Sequence, residues 1–330
     1  MDKILRPHSR VQRQLRRLTQ GAVKSSLRCI LLAAAASLLL VQPSFAWGPD
    51  GHAIVNRLAG KNLPADVPPF LRSATALDAL VYYSSEPDRW RSPAEPELNA
   101  AQAPEHYILL ELADLAGPLP RRRYDYVRAL AAAQSTHPDV VLTPERVGLQ
   151  PYVTSEIYER LQSALRDYRA LLAGHRNTRP SEAEILFLAG WLGHYVADGS
   201  QPMHTSIQYD GWVGPNPDGY TTKAGVHWFF ENDFVHANIR TSQVAVQVAA
   251  SKAHVQDDPF AAYLTYLRKS NTLVERTYQL EKAGGFNGSG TPESRAFAAE
   301  RLAAGAIQLR DMIYTAWIKS GAPIPPARSH

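Results

Sequence analysis

The residues best suited to chemistry lie in one short stretch, WLGHYVADGSQPMH, at positions 191–204. His194 and Asp198 are four residues apart, so on a helix both side chains project from one face and can reach one metal ion. The glycine and proline that follow predict the end of this helix, which leaves His204 free to turn towards a neighbouring site. An ordinary core helix explains the stretch poorly, because a carboxylate buried near a helix C-terminus opposes the helix dipole and needs a partner. We therefore predict that these three side chains bind metal.

A long buried helix is predicted to carry this stretch. The run Ile185–Leu192 is too continuously apolar for a surface helix, and Ser181 with Glu184 has the spacing of a capping box at its start. Prolines indicate an ordered loop over 84–103, and strand patterns are nearly absent, although 106–112 fits either a short strand or a helix start. Helical patterns cover residues 53–63, 70–83, 124–134, 155–172, 182–198, 226–237, 259–281 and 292–319, the last with Thr291 as N-cap and Pro292 as first residue. The sequence predicts a mainly α-helical single domain with long loops.

The first 46 residues have the features of an export signal. A region rich in Arg and Lys precedes the apolar run Cys29–Val41, whose thirteen residues fall short of the ~20 that a membrane-spanning helix needs. Ser44 and Ala46 then form a small-x-small cleavage site. We expect a signal peptide over residues 1–46, cleavage after Ala46, and export of residues 47–330 as one domain that is periplasmic or secreted.

Loss of the leader changes the charge of the protein. Residues 1–46 hold eight of the 35 Lys and Arg and one of the 31 Asp and Glu, so the mature chain has a formal net charge of −3. Overall basicity therefore gives no reason to expect nucleic-acid binding, and an anionic substrate must be held by a local site. The only cysteine, Cys29, lies in the leader. A mature chain without disulfides must be held together by packing and, we expect, by metal.

Further ligand-type residues lie on both sides of the central stretch. Downstream, His227 and Glu231 are again four residues apart, in VHWFFENDF. Such pairs occur on ordinary helix surfaces, but joined to the first cluster this pair supplies ligands for more than one zinc ion. Upstream lie His52, His106 and Asp88, the last in SEPDRWR and with Asp78 as a nearby rival.

In this order the residues resemble the tri-zinc phosphodiesterase superfamily, which comprises the fungal single-strand-specific nucleases of the S-one and P-one type and the bacterial zinc-dependent phospholipases C. The resemblance spans most of the mature chain and rests on a tryptophan at the new N-terminus, His-x3-Asp-x5-His, and a later His-x3-acid pair. It implies the helical fold of that superfamily and three zinc ions per chain. By resemblance, the first zinc takes Asp88, His106, His194 and Asp198; the second takes His204, His227 and Glu231; the third takes the amino nitrogen and carbonyl oxygen of Trp47, with His52 and a share of Asp198.

The sequence has features of both branches. The spacing Trp47-x4-His52 resembles the nucleases, whereas QPMH and the HxxxEN that ends at Asn232 resemble the phospholipases. The chain departs from both at Ala197 and Gly199, where such families usually carry a glycine and an apolar residue, and this leaves the local helix geometry open.

The resemblance implies hydrolysis of phosphodiester bonds by a zinc-activated hydroxide, with Asp198 bridging two ions and orienting the nucleophile. The expected substrates are single-stranded nucleic acid or nucleotides, with removal of 3′-phosphates as a further activity; the alternative is a phospholipase C that acts on phosphatidylcholine-like headgroups. No obligate protein partner is expected. A non-catalytic zinc-stabilised binding protein is disfavoured, because structural zinc needs four closed ligands rather than three adjacent, partly open sites.

Aromatic residues cluster near the second ligand pair. Tyr209, Trp212 and Tyr220 lie in the 22-residue segment between His204 and His227, where they can stack nucleobases or face a lipid interface. The helix-borne residues 228–230 are expected to belong to the core.

Overall fold

The computed structural model describes residues 47–324, which are mostly helical. Within this range the only strand-type pairings are two isolated β-bridges, Ile108 with Gly148 and Tyr209 with Gly211. The prediction of a mainly α-helical fold is confirmed. The predicted leader and cleavage site, residues 1–46, and the last six residues lie outside the described range.

The helices vary widely in length. Shorter 3-10 turns cover Pro69–Arg72, Ala103–His106, Asp114–Ala116 and Pro202–Thr205, and a π-helical segment covers Phe229–Phe234. The α-helices are α1 (Pro49–Lys61), α2 (Ala74–Tyr83), α3 (Glu86–Trp90), α4 (Pro96–Gln102), α5 (Leu110–Ala113), α6 (Arg123–Gln134), α7 (Pro144–Val147), α8 (Gln150–Ala173), α9 (Arg179–Ser200), α10 (Val226–Trp228), α11 (Val235–Asn238), α12 (Thr241–Ala249), α13 (Pro259–Asn271), α14 (Val274–Lys282) and α15 (Pro292–Ser320).

Helix α9 forms the centre of the structure and packs against α1, α2, α8 and α15. Its residues Ile185, Ala189, Leu192 and Val196 recur at helical spacing and are fully buried. Burial of each large aliphatic side chain stabilises the fold by roughly 1.5–3 kcal/mol. No helix in residues 47–324 combines the length and the apolarity needed to cross a membrane.

Two expectations about local structure are wrong. Residues 84–103 contain helices α3 and α4 rather than only a loop, and both helices carry a proline in the first turn, where the missing N–H costs nothing. The capping box at Ser181 is absent, because α9 already begins at Arg179 and the Ser181 hydroxyl instead donates to the carbonyl of Ala164 in α8. By contrast, Thr291 caps α15 as expected, accepting from the N–H of Ser294.

Other boundaries differ more modestly. The single helix expected over 259–281 is divided into α13 and α14 at residues 272–273, and α12 has no counterpart among the expected helices. Of the ambiguous stretch 106–112, only residue 108 pairs with another segment in strand fashion, while α5 begins at Leu110.

Gly199 explains how the last turn of α9 is built. A side chain there would lie 2.9 Å from the Tyr263 hydroxyl and 2.9 Å from the Tyr266 ring of α13. These two tyrosines instead approach the helix and donate to its carbonyls, Tyr263 to Tyr195 at 2.9 Å and Tyr266 to Val196 at 2.7 Å. The absence of a side chain at Gly199 therefore allows a close contact with α13 that holds the helix end beside Asp198.

Candidate metal centre

Eight of the nine predicted metal ligands come together in the interior. They are contributed by α1, α3, α9, two 3-10 turns and the helical segment that begins at Val226. Ligand-type atoms lie within 4.8 Å of one another in three groups, which are His52 with Asp88 and His194; His106 with His194 and Asp198; and His204 with His227 and Glu231. All eight side chains except Asp88 are buried. These buried groups can hold metal ions.

Asp198 lies among three imidazoles. Its Oδ1 is 3.4 Å from His52 Nε2, and its Oδ2 is 3.2 Å from His106 Nδ1 and 3.4 Å from His194 Nε2. Each carboxylate oxygen therefore faces its own imidazole nitrogens, Oδ1 that of His52 and Oδ2 those of His106 and His194. This is the arrangement that a carboxylate shared by two cations requires.

Backbone carbonyls define which nitrogen of two histidines is available. A carbonyl can only accept, so His194 must donate from Nδ1 to the carbonyl of Ser84 at 2.7 Å, and His204 from Nδ1 to the carbonyl of His106 at 2.6 Å. In both neutral rings the Nε2 lone pair then points into the cluster. Metal-binding histidines are commonly oriented in this way.

Several buried polar atoms in the cluster have no hydrogen-bond partner among the described residues. They include both ring nitrogens of His52, Nε2 of His106, and the Oδ1 atoms of Asp88 and Asp198. Leaving such atoms unsatisfied is costly in a protein interior. The residues present therefore fit metal ions, which would satisfy nitrogen and carboxylate lone pairs that converge on common points.

The second ligand pair lies on a helix with a widened turn. His227 belongs to α10, Glu231 to the π-helical segment that follows, and their Nε2 and Oε1 atoms are 2.6 Å apart. His204 Nε2 approaches the same Oε1 at 3.2 Å. Short π-helical segments often occur at functional sites, where they redirect side chains.

Hydrogen bonds connect the segments that carry His106 and His204. The His204 ring donates to the His106 carbonyl, and the N–H of Ile108 donates to the His204 carbonyl at 2.9 Å. The Gln150 amide also donates to the His106 carbonyl, at 3.2 Å, and to the Tyr195 carbonyl, at 3.1 Å. The groups that contain His106 and His204 are therefore connected through the backbone of both segments and through the His204 ring.

Trp47 is anchored beside the cluster. Its side chain is fully buried, its indole N–H donates to the Ser200 hydroxyl at 2.7 Å, and its ring packs edge-on against Phe230 at 5.4 Å. Ser200 follows Asp198 by two residues, and Trp47 directly precedes the turn that starts α1, where His52 lies. The residue predicted to become the new N-terminus is thus attached to the end of the helix that carries Asp198, and it lies just before the helix that carries His52.

The structure distinguishes between the two aspartates considered as ligands, Asp88 and Asp78. Asp88 Oδ1 is 3.9 Å from His194 Nε2, and only 9% of its side chain is exposed. Asp78 is exposed and pairs with Arg57 at 3.1 Å, away from the groups described above. Asp88 is therefore the aspartate that the fold brings to the histidines.

Burial controls the electrostatics of the cluster. Desolvation lowers the pKa of His52 and His106 well below the usual range, and that of His194 to about 3. Desolvation also raises the pKa of Asp88 to about 7 and that of Asp198 well above its usual range. Around Asp198, neutral imidazoles and a protonated Asp198 carboxyl therefore dominate near neutral pH until a cation replaces the proton. At the second ligand pair the shifts run the other way despite burial, because the charge of Glu231 raises the pKa of His227 and the charge of His227 lowers that of Glu231.

Metal binding is expected to tighten as the pH rises. Metal ligands must be deprotonated, and since the pKa of Asp88 is raised to about 7, protons compete with the metal below that pH. We expect the affinity to rise by about tenfold per pH unit for each displaced proton. Competition titrations with a metal chelator at pH 6, 7 and 8 measure this dependence, and an affinity independent of pH would contradict the buried carboxylate ligands.

Arg91 is a residue that the spacing arguments missed. It follows Asp88 by three residues, and its positive charge lowers the pKa of Asp88, His106, His194 and Asp198. The guanidinium therefore lies close enough to act on all four residues predicted to bind the first ion. The available signal was the spacing of three residues from Asp88, because Arg91 directly follows α3 and its N–H closes the last turn on the Asp88 carbonyl at 3.1 Å.

The aromatic residues divide between core and surface. Tyr220 is buried, and it packs with Trp212 against Tyr278 of α14 at 5.9 Å and 5.2 Å. Tyr209 remains 41% exposed. Of residues 228–230, only Phe230 is buried, while Phe229 is 42% exposed, so the expectation of a core position holds for Phe230 alone.

No model of a known protein family matches this chain, and no curated protein matches it either.

Proposed function

We propose that the protein is an exported zinc-dependent phosphodiesterase that cleaves single-stranded nucleic acid and removes 3′-phosphates. The observation that carries the proposal is the set of adjoining buried ligand groups, in which His194 belongs to two groups and Asp198 contacts three imidazoles. One structural zinc site would need four closed ligands, whereas this cluster offers more ligands arranged around shared residues. Such adjoining sites are typical of metal-assisted phosphoryl chemistry.

Zinc, when bound, would lower the pKa of water to about 7 and polarise the phosphoryl oxygens. The protein would hold it through His106, His194, Asp88 and Asp198 in the first site and through His204, His227 and Glu231 in the second. The third site would use His52, Asp198 and the processed end of Trp47. The carbonyls of Ser84 and His106 orient the His194 and His204 rings, so that their Nε2 lone pairs point into the cluster, where metal would bind.

Arg91 is suited to bind the substrate phosphate. The charge of Arg91 already acts on Asp88 and Asp198, so it would also attract a phosphodiester placed beside these two residues. Guanidinium groups bind phosphate oxygens through paired hydrogen bonds. The net charge of −3 gives no general attraction for an anionic substrate, so such a substrate needs a local positive group, which Arg91 supplies.

A second candidate function, phospholipase C activity, is favoured by one surface feature. A cavity of about 420 Å³ is lined mainly by aliphatic residues, with Tyr209, Asp210 and Arg146 at its polar side. Two of its walls, Val141 and Val213, are more than half exposed. An aliphatic cavity suits a lipid, whereas the exposed tyrosine and the arginine suit a nucleotide.

A zinc content of about three ions per chain is the expected result for the mature protein. Elemental analysis of protein purified without chelator measures this directly, and dialysis against a strong chelator followed by zinc addition gives the matched control. A content of one ion or less in protein never exposed to chelator would remove the basis for the proposed chemistry.

A direct comparison of substrates separates the two activities. Protein that begins at Trp47 is given single-stranded DNA or RNA, a 3′-nucleotide, and phosphatidylcholine vesicles under identical conditions, with zinc-depleted protein as the control. We expect zinc-dependent cleavage of the nucleic acid and release of phosphate from the nucleotide. Hydrolysis of phosphatidylcholine alone would establish the second candidate, and no hydrolysis of any of them would refute both.

A further inference from the structure

The segment between His204 and His227 is fixed to the core around Asp210. The buried Tyr278 hydroxyl donates to the Gln208 carbonyl at 2.6 Å and accepts from the Gly211 N–H at 2.9 Å, so it holds the backbone on both sides of Asp210. The Gln208 side chain closes the same turn by bonding both backbone groups of Val213. Asp210 is therefore carried on a rigid turn rather than on a free loop.

The Asp210 carboxylate reaches the start of the helix that bears the second ligand pair. Its Oδ1 accepts from the N–H of Gly225 at 2.7 Å and from the N–H of His227 at 3.2 Å. No side chain adjacent in sequence caps this helix start, because Gly225 occupies the N-cap position with a left-handed backbone (φ +104°). The first N–H groups of a helix need acceptors, and Asp210 supplies one from fifteen residues upstream.

We infer that Asp210 is a positioning residue that sets the metal-binding geometry of His227. The bond to the His227 N–H fixes the backbone from which its imidazole projects, and the bond to Gly225 fixes the turn before it. Tyr278 completes the chain of contacts from the core to Asp210. The assignment rests on the proposed zinc site formed by His204, His227 and Glu231, and it concerns the strength of that site rather than the chemistry of hydrolysis.

The test measures zinc affinity in four variants. Asp210→Ala removes both hydrogen bonds, whereas Asp210→Asn keeps an oxygen that can accept them, and Tyr278→Phe removes only the support of the turn. Asp218→Ala is the matched control, because Asp218 is an exposed carboxylate in the same segment. Loss of an outer contact to a metal ligand typically weakens binding about 10–100-fold.

Zinc competition against a chelator is expected to show this loss for one ion in Asp210→Ala, so that the retained content falls from three ions to two. Asp210→Asn should restore most of the affinity, Tyr278→Phe should be intermediate, and Asp218→Ala should match the wild type. Exchange of the Gly225 and His227 amide hydrogens should also accelerate in Asp210→Ala.

Wild-type zinc affinity in Asp210→Ala would overturn the assignment. So would an equal weakening of all three ions, which indicates general destabilisation. A failure of Asp210→Asn to restore binding would also overturn it, because the hydrogen bonds to Gly225 and His227 would then not set the affinity. Wild-type protein that binds zinc without cleaving any phosphodiester would refute the proposed function while leaving this assignment intact.

Discussion

Asp198→Asn is expected to lower phosphodiester hydrolysis at least about 1,000-fold, which corresponds to roughly 4 kcal/mol of lost transition-state stabilisation. Asp198 has both carboxylate oxygens directed at imidazoles, Oδ1 at His52 and Oδ2 at His106 and His194. An amide of the same shape is neutral, so it cannot supply the charge that two cations would share. Turnover with saturating single-stranded DNA, together with zinc content, measures the effect.

Asp78→Asn provides the matched control for this substitution. Asp78 is exposed and pairs with Arg57, so its replacement should leave turnover unchanged and alter stability only slightly. His52→Ala should reduce turnover less than Asp198→Asn, because His52 is assigned to one ion only. Near-normal turnover in Asp198→Asn would show that the bridging role is wrong.

Protein that begins at Trp47 is expected to bind one more zinc ion, and to be at least ~100-fold more active, than protein that retains Ala46. Before cleavage the Trp47 nitrogen is an amide without an available lone pair, whereas cleavage creates an α-amine with an intrinsic pKa of about 7.7–8.0. The buried indole and its bond to Ser200 hold this residue at the end of the helix that carries Asp198. Under the proposed function, removal of the leader would therefore activate the protein.

Two further proteins sharpen the comparison. Trp47→Phe keeps the free amine and an aromatic ring but loses the indole bond to Ser200, so it should retain the third ion with reduced stability. A form that starts at Gly48 should lose the third ion entirely. Equal zinc content and equal activity with and without Ala46 would show that the terminus is not a ligand, and Trp47 would then be only a core aromatic.

The sequence indicated the residues of the cluster because metal chemistry restricts both their type and their spacing. His194 and Asp198 share one face of α9, and their separation of four residues predicts this from the sequence alone. The relation of Asp88 to His194 is different, since these residues lie on separate helices. Only the resemblance favoured Asp88 over Asp78, and only the fold shows which of the two approaches a histidine.

The supporting contacts were beyond the reach of sequence patterns. The groups that orient His194 and His204 are backbone carbonyls, which every residue possesses. Gln150 bonds carbonyls 44 and 45 residues away, and Asp210 caps a helix from another segment. Local capping rules likewise failed at Ser181, because a neighbouring helix offered its hydroxyl a carbonyl partner.

The hydrogen bonds between the His106 and His204 segments have a thermodynamic consequence. The imidazole of His204 is oriented by the carbonyl of His106, whose own side chain belongs to the group with His194 and Asp198. A displacement of the His106 backbone therefore tilts the His204 ring. A displacement of His204 in turn moves its carbonyl, which accepts from the Ile108 N–H. Metal binding that moves this shared backbone would change the free energy of binding at the other group, and linkage requires such coupling to be equal in both directions. The groups of His106 and His204 therefore share one backbone framework.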